Sequence, residues 1–263
     1  MPTDNLNFSC ALVTGGGGGI GKAIASYLVS KGKKVIIAGR TESNLKATAK
    51  ELGVTAYYVL DTGVVDLFPD FISRITHEHP ELDCLINNAG VQRPIDLVKE
   101  SPEDIFQKAD QEIDINIRGP MHLTQRLLEH FKAKPDGAVI VNVSSVLGFL
   151  PFAPINPSYG GTKAWLHFWS MNLRTQLQQS GYEKIRVIEI APPTVETNLH
   201  RDREDPDDNK RHNNPNALSI EEFMDDVSAK WEQGEEMIAP GMSGDLVDRW
   251  YREFGGFYDE KTR

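Results

Sequence analysis

The stretch 9–30 reads SCALVTGGGGGIGKAIASYLVS, an apolar run followed by five glycines in succession and then by an amphipathic run. A short apolar run that ends in glycine predicts a β-strand, and the longer amphipathic run predicts a helix. Glycines at such a junction let the backbone approach a ligand closely, and the N-terminus of the following helix attracts a pyrophosphate group. Two spacings of the glycines fit this geometry, G-x-G-x-x-G at Gly16, Gly18 and Gly21 and T-G-x-x-x-G-x-G at Gly15, Gly19 and Gly21. We therefore interpret the stretch as a dinucleotide-binding unit rather than a flexible turn.

The same alternation of short apolar and longer amphipathic runs continues along the chain. Strands are predicted at 9–14, 34–39, 56–61, 82–87, 138–143 and 185–190, and helices near 20–31, 42–52, 65–78, 102–132 and 157–180. The strand runs are rich in Val, Ile and Leu without clean alternation, which is typical of parallel strands covered on both faces. The pattern predicts an α/β fold, a doubly wound parallel sheet of six or seven strands with helices on both faces. Ligands of such sheets bind at the carboxyl ends of the strands, where the strand order reverses.

The 263 residues are predicted to form a single domain, 1–263, because one α/β domain of this type often reaches that length. From 192 to 240 the pattern breaks into a polar, proline-rich segment followed by a short amphipathic stretch at 219–232. Such a long excursion is usually a lid or a disordered loop, and we favour a substrate lid. No seventh strand is visible in the sequence after it. The end of the chain, 241–263, is predicted to be an atypical C-terminal helix followed by an aromatic tail.

The composition of the chain limits the classes of partner that the protein is expected to bind. The 28 basic and 38 acidic residues give a net charge of -10, which argues against nucleic acid or an anionic membrane surface. Cys10 and Cys84 both lie inside strand-like runs and form no metal-ligand pattern, so they are expected to be reduced, buried thiols and no metal site is predicted. The sequence contains no secretion signal and no apolar run long enough to span a membrane, and we expect a cytoplasmic protein.

The residues at the end of the second strand, Ala38-Gly39-Arg40-Thr41, indicate which coenzyme the protein prefers. An NAD site usually places a carboxylate here for the ribose 2′-hydroxyl, whereas a guanidinium can pair with the 2′-phosphate of NADP. Arg40 therefore favours NADP(H) over NAD(H), although a solvated arginine is the alternative. Glu42, two residues further on, could reverse this preference.

The segment NPSYGGTKAW (156–165) places Tyr159 and Lys163 four residues apart, and hence on one face of a helix. Asn156 and Pro157 are predicted to be the cap and the first residue of that helix. A Tyr-x-x-x-Lys pair alone is weak because it also occurs on ordinary helix surfaces.

Five motifs that follow one another along the chain resemble those of a known family, whereas the pair of Tyr159 and Lys163 alone would not show this. These are TGGGGGIG (14–21), NNAG (87–90), Asn116 in a long helix, NVSS (142–145) and Tyr159-x-x-x-Lys163. Together they resemble the short-chain dehydrogenase/reductase family, the compact single-domain kind, across residues 9–197. Finer similarities such as LINNAGVQR are like those of oxidoreductases encoded beside bacterial teichoic-acid D-alanylation genes and of their fungal relatives.

The resemblance implies roles by position. It implies a nucleotide site formed by Thr14, Gly15, Gly19, Ile20, Gly21, Arg40, Asp61, Asn88, Gly90, Val195 and Thr197, with Tyr159 and Lys163 also touching the nucleotide. It implies a catalytic set of Asn116, Ser145, Tyr159 and Lys163. Ser145 fits the serine position better than Ser144, and Asn116 would hold a water that passes protons to Lys163.

The chemistry expected is hydride transfer between a nicotinamide and a carbonyl or secondary alcohol, with Tyr159 as general acid/base. A phenol has a pKa near 10, and we expect the Lys163 ammonium, the helix N-terminus and the positive nicotinamide ring to lower it. Ser145 would stabilise the developing alkoxide. The substrate would be a small, partly apolar carbonyl or alcohol compound, and Arg93 is either a surface residue or a contact for a substrate carboxylate.

Other functions and the assembly were also weighed. The wide apolar arc of 165–177 predicts a helix-paired homodimer, with burial against the sheet alone as the alternative. A minor-activity redox sensor on the same fold remains the alternative function. A nucleotide-sugar epimerase would show T-G-x-x-G-x-x-G, which the chain lacks.

Overall fold

The computed structural model describes residues 5–262, and its centre is one parallel sheet. Seven strands lie in the order β3-β2-β1-β4-β5-β6-β7. Their bounds are β1 (Cys10–Thr14), β2 (Lys34–Gly39), β3 (Ala56–Val59), β4 (Leu82–Asn87), β5 (Ala138–Val143), β6 (Ile185–Ile190) and β7 (Met237–Ile238). The order reverses between β1 and β4, which places the expected ligand crevice at the carboxyl ends of these two strands.

Helices cover both faces of the sheet, as the strand composition predicts. They are α1 (Gly19–Ser30), α2 (Glu42–Leu52), α3 (Phe68–Glu78), α4 (Pro102–Ile113), α5 (Gly119–Lys132), α6 (Pro157–Gln179), α7 (Ile220–Glu232), α8 (Ser243–Trp250) and α9 (Gly256–Thr262). The core on one face packs α1, α2 and α7 against the sheet, and the core on the other face packs α3, α5 and α6. The doubly wound α/β fold is confirmed.

The predicted long helix 102–132 is continuous but not uniform. Helices α4 and α5 are joined by a π-helical turn over Asp114–Arg118, which carries Asn116 in its centre. A π turn inserts one extra residue and rotates the side chains that follow it. This turn aims Asn116 into the interior, where its side chain is buried.

A seventh strand is present, within the six or seven predicted, although no run in the sequence indicates where it lies. Strand β7 has only two residues, and it joins the edge of the sheet beside β6 through hydrogen bonds from Glu189 N to Glu236 O (2.8 Å) and from Ala191 N to Ile238 O (2.8 Å). Two residues are too few to produce a periodic pattern in the sequence. The strand forms because it pairs with β6, which is distant in the chain.

The expected aromatic tail is wrong. The end of the chain is helical from α8 through a π turn (Tyr251–Gly255) to α9, although it contains the pair Gly255-Gly256. Contacts with α6 hold it, including a hydrogen bond between the hydroxyl oxygens of Thr175 and Tyr258 (2.7 Å) and the packing of Trp250 on His167. None of the helices among residues 5–262 combines the length and the apolar character that crossing a bilayer would require.

Candidate active site

A cavity of about 680 Å³ opens at the carboxyl ends of the strands. The loops after β1, β2, β4 and β5 form its floor and walls, and the segment after β6 crosses its mouth. The lining from the first two of these loops consists of Gly15, Gly17, Gly18, Gly19, Ile20, Gly39, Arg40 and Thr41. The lining from the later loops includes Asn88, Gly90, Gln92, Ser145, Asn156, Tyr159, Lys163, Val195 and Thr197. The cavity thus brings together most of the site residues that the sequence indicated.

The glycine loop decides between the two glycine spacings. Gly15 (φ 68°) and Gly19 (φ 52°) have the left-handed backbone that glycine adopts at low cost. Gly21 is needed for close packing, because a Cβ there would lie 2.4 Å from the carbonyl oxygen of Gly15. Gly18 is extended, and a Cβ there would meet nothing within 4 Å. The geometry therefore matches T-G-x-x-x-G-x-G.

The start of α1 fits a phosphate group. Its N-cap, Gly18, makes no side-chain capping bond, and its first turn contains no acidic residue. The first N–H groups of a helix need partners, and the helix dipole favours an anion there. Because Gly17 to Ile20 line the cavity, these donors meet the space that a dinucleotide pyrophosphate would fill.

Thr14 and Asn88 lock the two central loops together. Thr14 is buried and does not line the cavity; its hydroxyl donates to Ile86 O (3.1 Å) and accepts from the backbone N–H groups of Asn88 and Ala89 (3.0 Å each). Asn88 Nδ2 in turn donates to Thr14 O (2.9 Å). Thr14 thus supports the site from behind, and Asn88 forms its floor.

Arg40 is exposed at the cavity edge, with no ion pair or hydrogen bond recorded within residues 5–262. Glu42, the residue that could have reversed the coenzyme preference, pairs instead with Lys46 (3.0 Å) on the surface of α2. The guanidinium is therefore available to an anion, and the neighbouring carboxylate does not compete for it.

The remaining predicted nucleotide contacts divide into two groups. Val195 and Thr197 line the cavity, and a Cβ on Gly19 would lie 3.5 Å from Thr197. Asp61 does not line the cavity. Its Oδ1 accepts a hydrogen bond from the backbone N–H of Gly63 (2.9 Å). Its neighbours Leu60 and Thr62 line the cavity in its place, and the adenine contact of Asp61 stays a prediction.

Tyr159 and Lys163 lie in the first two turns of α6 and face the cavity. Pro157 occupies the first helical position, as expected. Only 5% of Tyr159 and 4% of Lys163 is exposed, and the Lys163 ammonium lies 5.5 Å from the centre of the Tyr159 ring. Lys163 Nζ donates to the backbone oxygen of Val143 at the end of β5 (2.8 Å). The two side chains are therefore held at fixed positions beside the carboxyl end of β5.

The ionisation of this pair differs from the expectation. Burial raises the pKa of Tyr159 above its ordinary range and the charge of Glu112 raises it further, while the Ser145 hydroxyl and the Arg203 charge oppose the rise. The expected lowering of the Tyr159 pKa is wrong for the chain alone, because desolvation of a phenolate outweighs nearby positive charge. Burial likewise lowers the pKa of Lys163 to about 8. At neutral pH the phenol holds its proton and can donate it.

Two serines follow β5, and the structure separates them. The hydroxyl of Ser144 donates to Oε1 of buried Glu189 (2.5 Å), and Oε2 of the same carboxylate contacts His167 Nδ1 (2.9 Å). Ser145 lines the cavity, and its hydroxyl opposes part of the rise that burial causes in the pKa of Tyr159. Ser145, and not Ser144, is thus the serine that faces the cavity with Tyr159.

Asn116 acts on its neighbours through its side chain. Its Oδ1 accepts from Val91 N (3.0 Å), while Nδ2 donates to Val91 O (2.9 Å) and Thr162 Oγ1 (3.1 Å). Both amide hydrogens are used, so the side chain holds the loop after β4 against the start of α6. Gly90 is close to it, because a Cβ there would lie 3.3 Å from Asn116 Oδ1. The water relay through Asn116 stays a prediction.

Three residues around the cavity received no chemical role from the sequence. Glu112 is fully buried, its Oε1 accepts from Arg93 N (2.5 Å), and burial raises its pKa to about 7. Its position four residues before Asn116 was a usable signal, since residues at that spacing share a helix face. Gln92 and Arg203 also line the cavity. Arg203 comes from a distant segment, and local sequence gives no sign of it.

Arg93, the residue considered for a substrate carboxylate, is already engaged. Its Nε donates to Gln111 Oε1 (2.7 Å) and its guanidinium forms an ion pair with Asp202. It thereby ties the loop after β4 to the segment that crosses the cavity mouth. Among residues 5–262 no three His, Cys, Asp or Glu side chains are grouped as metal ligands.

Comparisons with known proteins agree with this geometry. The model of the short chain dehydrogenase family matches residues 9–208. An uncharacterised oxidoreductase of Bacillus subtilis, DltE, is 35% identical over 95% of this chain and 94% of its own length. The NADP-dependent 3-hydroxy acid dehydrogenase YdfG of Shigella flexneri is 31% identical over 82% of this chain and 86% of its own.

Solved structures give the same result. A short-chain dehydrogenase from Sphingobium yanoikuyae in complex with NADPH superposes with a TM-score of 0.80, at 23% identity over 97% of this chain and 95% of that one. A 3-ketoacyl-(acyl-carrier-protein) reductase from Brucella melitensis complexed with NADH has a TM-score of 0.75, at 26% identity over 92% of this chain and 99% of that one. The fold is therefore one that binds a nicotinamide coenzyme, and the two complexes differ in which coenzyme they hold.

Proposed function

The chain belongs to the short-chain dehydrogenase family and is an oxidoreductase, and we propose that it reduces a small carbonyl compound to a secondary alcohol with NADPH. The observation that carries the proposal is the buried pair of Tyr159 and Lys163 beside Ser145 in the large cavity. A protonated phenol next to a hydroxyl and an ammonium can both orient a carbonyl oxygen and give it a proton.

NADP(H) is proposed over NAD(H) because of Arg40. A guanidinium at the end of β2 that has no partner among residues 5–262 offers paired donors to a 2′-phosphate, whereas no carboxylate at this strand end accepts from a 2′-hydroxyl. The NADP dependence of the relative YdfG supports the same preference. The uncapped start of α1, with Gly15 and Gly19, would hold the pyrophosphate.

The mechanism follows from the side chains around the phenol. The bound nicotinamide supplies the hydride that reaches the carbonyl carbon. Ser145 donates a hydrogen bond to the substrate oxygen, and Tyr159 transfers its proton to that oxygen, which completes the alcohol. Lys163 stabilises the resulting phenolate by its charge, and its own hydrogen bond to Val143 O keeps the ammonium in place.

Substrate access is proposed to be controlled by the segment 192–240. Part of this segment lines the cavity, and Asn209 Nδ2 folds it back on itself by donating to Val195 O (2.9 Å) and Thr197 O (3.1 Å). A lid of this kind would exclude water while the proton and hydride move. Leu147 and Phe152 give the opposite wall an apolar character.

Assembly and location are proposed from the exposed face of α6 and from the two cysteines. Phe168 on α6 remains 52% exposed after α8 has packed beside it, which favours a homodimer through this helix. Cys10 and Cys84 are free and buried, and burial raises the pKa of Cys10 to about 12. Two unreactive thiols fit a reducing cytoplasm.

The test is a panel of ketones and aldehydes assayed with NADPH and with NADH. Tyr159→Phe should lower kcat/KM about 10²- to 10⁴-fold while coenzyme binding, followed by fluorescence, persists. Tyr182→Phe, which removes the hydroxyl of a partly exposed tyrosine, is the matched control and should keep full activity. Full turnover by Tyr159→Phe would remove the assigned acid. Absence of coenzyme consumption across the panel would refute the reductase itself.

A further inference from the structure

The start of α6 holds a buried side chain that the proposed reaction does not use. Asn156 is 2% exposed and lines the cavity, yet neither its Nδ2 nor its Oδ1 has a hydrogen-bond partner among residues 5–262. The sequence predicts a helix cap at this residue, but the side chain makes no capping bond. An amide that is buried without partners costs free energy, so a group that satisfies it would bind with a gain.

A second set of polar groups lines the same cavity and comes from a distant segment. Arg203 donates from Nη2 to Gln92 Oε1 (2.9 Å), and its Nη1 forms an ion pair with Asp208. Since Oε1 of Gln92 is taken, the free end of that amide is the donor Nε2. The Nε of Arg203 is buried and has no partner within the described chain. Two elements more than a hundred residues apart thus bring N–H donors to one place.

These donors lie close to the reacting phenol. Asn156 precedes Tyr159 by three residues at the start of the same helix, and Gln92 and Arg203 line the same cavity as the phenol. A substrate whose carbonyl oxygen meets Tyr159 would therefore place a neighbouring substituent among Asn156, Gln92 and Arg203.

Donors for an anion remain in this region, although the buried atoms without partners are of both kinds. Asp208 is a carboxylate of the cavity lining, and its Oδ2 pairs with Arg203 and so fixes that guanidinium in place. Among the buried lining atoms without a partner within residues 5–262, Asn156 Nδ2 and Arg203 Nε are donors, and Asn156 Oδ1 and Asn209 Oδ1 are acceptors. A carboxylate would satisfy the donors of Asn156, Gln92 and Arg203 together.

We propose that Asn156, Gln92 and Arg203 form a carboxylate subsite and that the substrate is a short oxo acid or hydroxy acid, with the carboxylate next to the reacting carbon or one carbon further away. This inference rests on the proposed function, which it narrows from carbonyl compounds in general to acids. Arg93 has no part in the subsite, because Asp202 and Gln111 already bind it.

The first experiment measures binding without turnover. Saturation-transfer NMR with the NADP⁺ complex compares butyrate with butanamide, two ligands of equal size that differ in charge. Butyrate should bind at least about tenfold more tightly, as expected for hydrogen bonds to a charged group. Arg203→Met and Asn156→Leu should each lose this difference. Arg211→Met is the matched control, because Arg211 lies in the same segment and pairs with Glu222 outside the cavity.

The second experiment measures catalysis on a matched pair, 3-oxobutanoate and its methyl ester, with NADPH. The acid should have about tenfold higher kcat/KM in the wild type and in Arg211→Met, but not in Arg203→Met or Asn156→Leu. Circular dichroism confirms that each variant is folded.

The outcomes separate this inference from the proposed function. Equal binding and equal turnover of the acid and neutral compounds would overturn the carboxylate subsite, while loss of ester reduction in Tyr159→Phe would still uphold the reductase. A preference for acids that survives in Arg203→Met would also overturn the subsite. If no compound of the ketone and aldehyde panel is reduced, the reductase proposal fails, and the NMR comparison still decides whether the carboxylate subsite exists.

Discussion

The two halves of the cavity are held by different kinds of interaction. The nucleotide half consists of the glycine loop and the ends of β2 and β3, and its shape comes from backbone geometry: two glycines with positive φ, an uncapped helix and one exposed arginine. The catalytic half consists of the ends of β4 to β6 and the start of α6, and its shape comes from buried polar side chains. Asn116, Lys163 and Glu112 are each almost fully buried there.

This difference has an energetic consequence. In the nucleotide half a substitution acts by adding atoms where the backbone needs space, or by removing an exposed charge. In the catalytic half a substitution changes a buried charge, whose pKa depends on desolvation by residues far apart in sequence. Substitutions in the nucleotide half should therefore act mainly through steric effects and lost charge, and those in the catalytic half should have effects that depend on pH. Four measurements test this difference.

The largest effect is expected at Lys163. Because burial lowers its pKa to about 8, the ammonium is lost as the pH rises through that value, and kcat/KM for reduction should fall above pH 8. Lys163→Met should lose about 10²- to 10³-fold at pH 7 and should show no break near pH 8. A pH series from 6 to 10 on both proteins checks this. An unchanged break in the variant would assign it to another group.

The next effect is expected at Arg40. Arg40→Asp should lower the preference for NADPH over NADH about 100-fold, because a charge-assisted bond is lost and a repulsive charge is added. Coenzyme dissociation constants from fluorescence titration measure it. Glu42→Gln is the control, since Glu42 pairs with Lys46, and it should leave the ratio unchanged. A ratio that responds to Glu42 and not to Arg40 would reverse the coenzyme assignment.

A steric effect is expected at Gly21. Gly21→Ala should reduce the free energy of unfolding by about 3 kcal/mol, because its Cβ would lie 2.4 Å from the oxygen of Gly15 and the backbone cannot easily yield. Gly18→Ala has no atom within 4 Å of its Cβ and should cost less than about 1 kcal/mol. Urea unfolding compares the two. Similar losses would show that the loop lacks the tight packing described.

The smallest effect is expected at Glu112 and depends on pH. Its pKa is raised from 4.5 to about 7 in the folded protein, so its contribution to stability is complete below pH 4.5 and is lost as the pH rises through about 7. Glu112→Gln should match the wild type at pH 4.5 and be about 1–2 kcal/mol more stable at pH 8.5. Urea unfolding at both values measures this.

The control for Glu112 lies on the same helix. Asp110 is exposed, and Asp110→Asn should have a similar, small effect at both pH values. If Glu112→Gln gives the same difference at pH 4.5 as at pH 8.5, the carboxyl is not protonated in the folded protein.

Most of the fold was readable because its signals are local. Six strands, the glycine loop and the spacing of Tyr159 and Lys163 were all predicted, since each depends on residues within one turn or one strand. Strand β7 and helix α9 were not predicted. Both are held by contacts with β6 and α6, and a two-residue strand carries no period of its own.

The candidate site also combines features that follow from local sequence with features that depend on long-range contacts. Chain order alone predicts which residues reach the mouth of the sheet, because strand ends and helix register follow from it. The three-dimensional packing sets the surroundings of these residues: burial raises the pKa of Tyr159, Glu112 is buried, and Asn156 and Arg203 line one cavity. Desolvation and electrostatic interaction depend on distance in space, whereas backbone conformation depends mainly on neighbours in the chain.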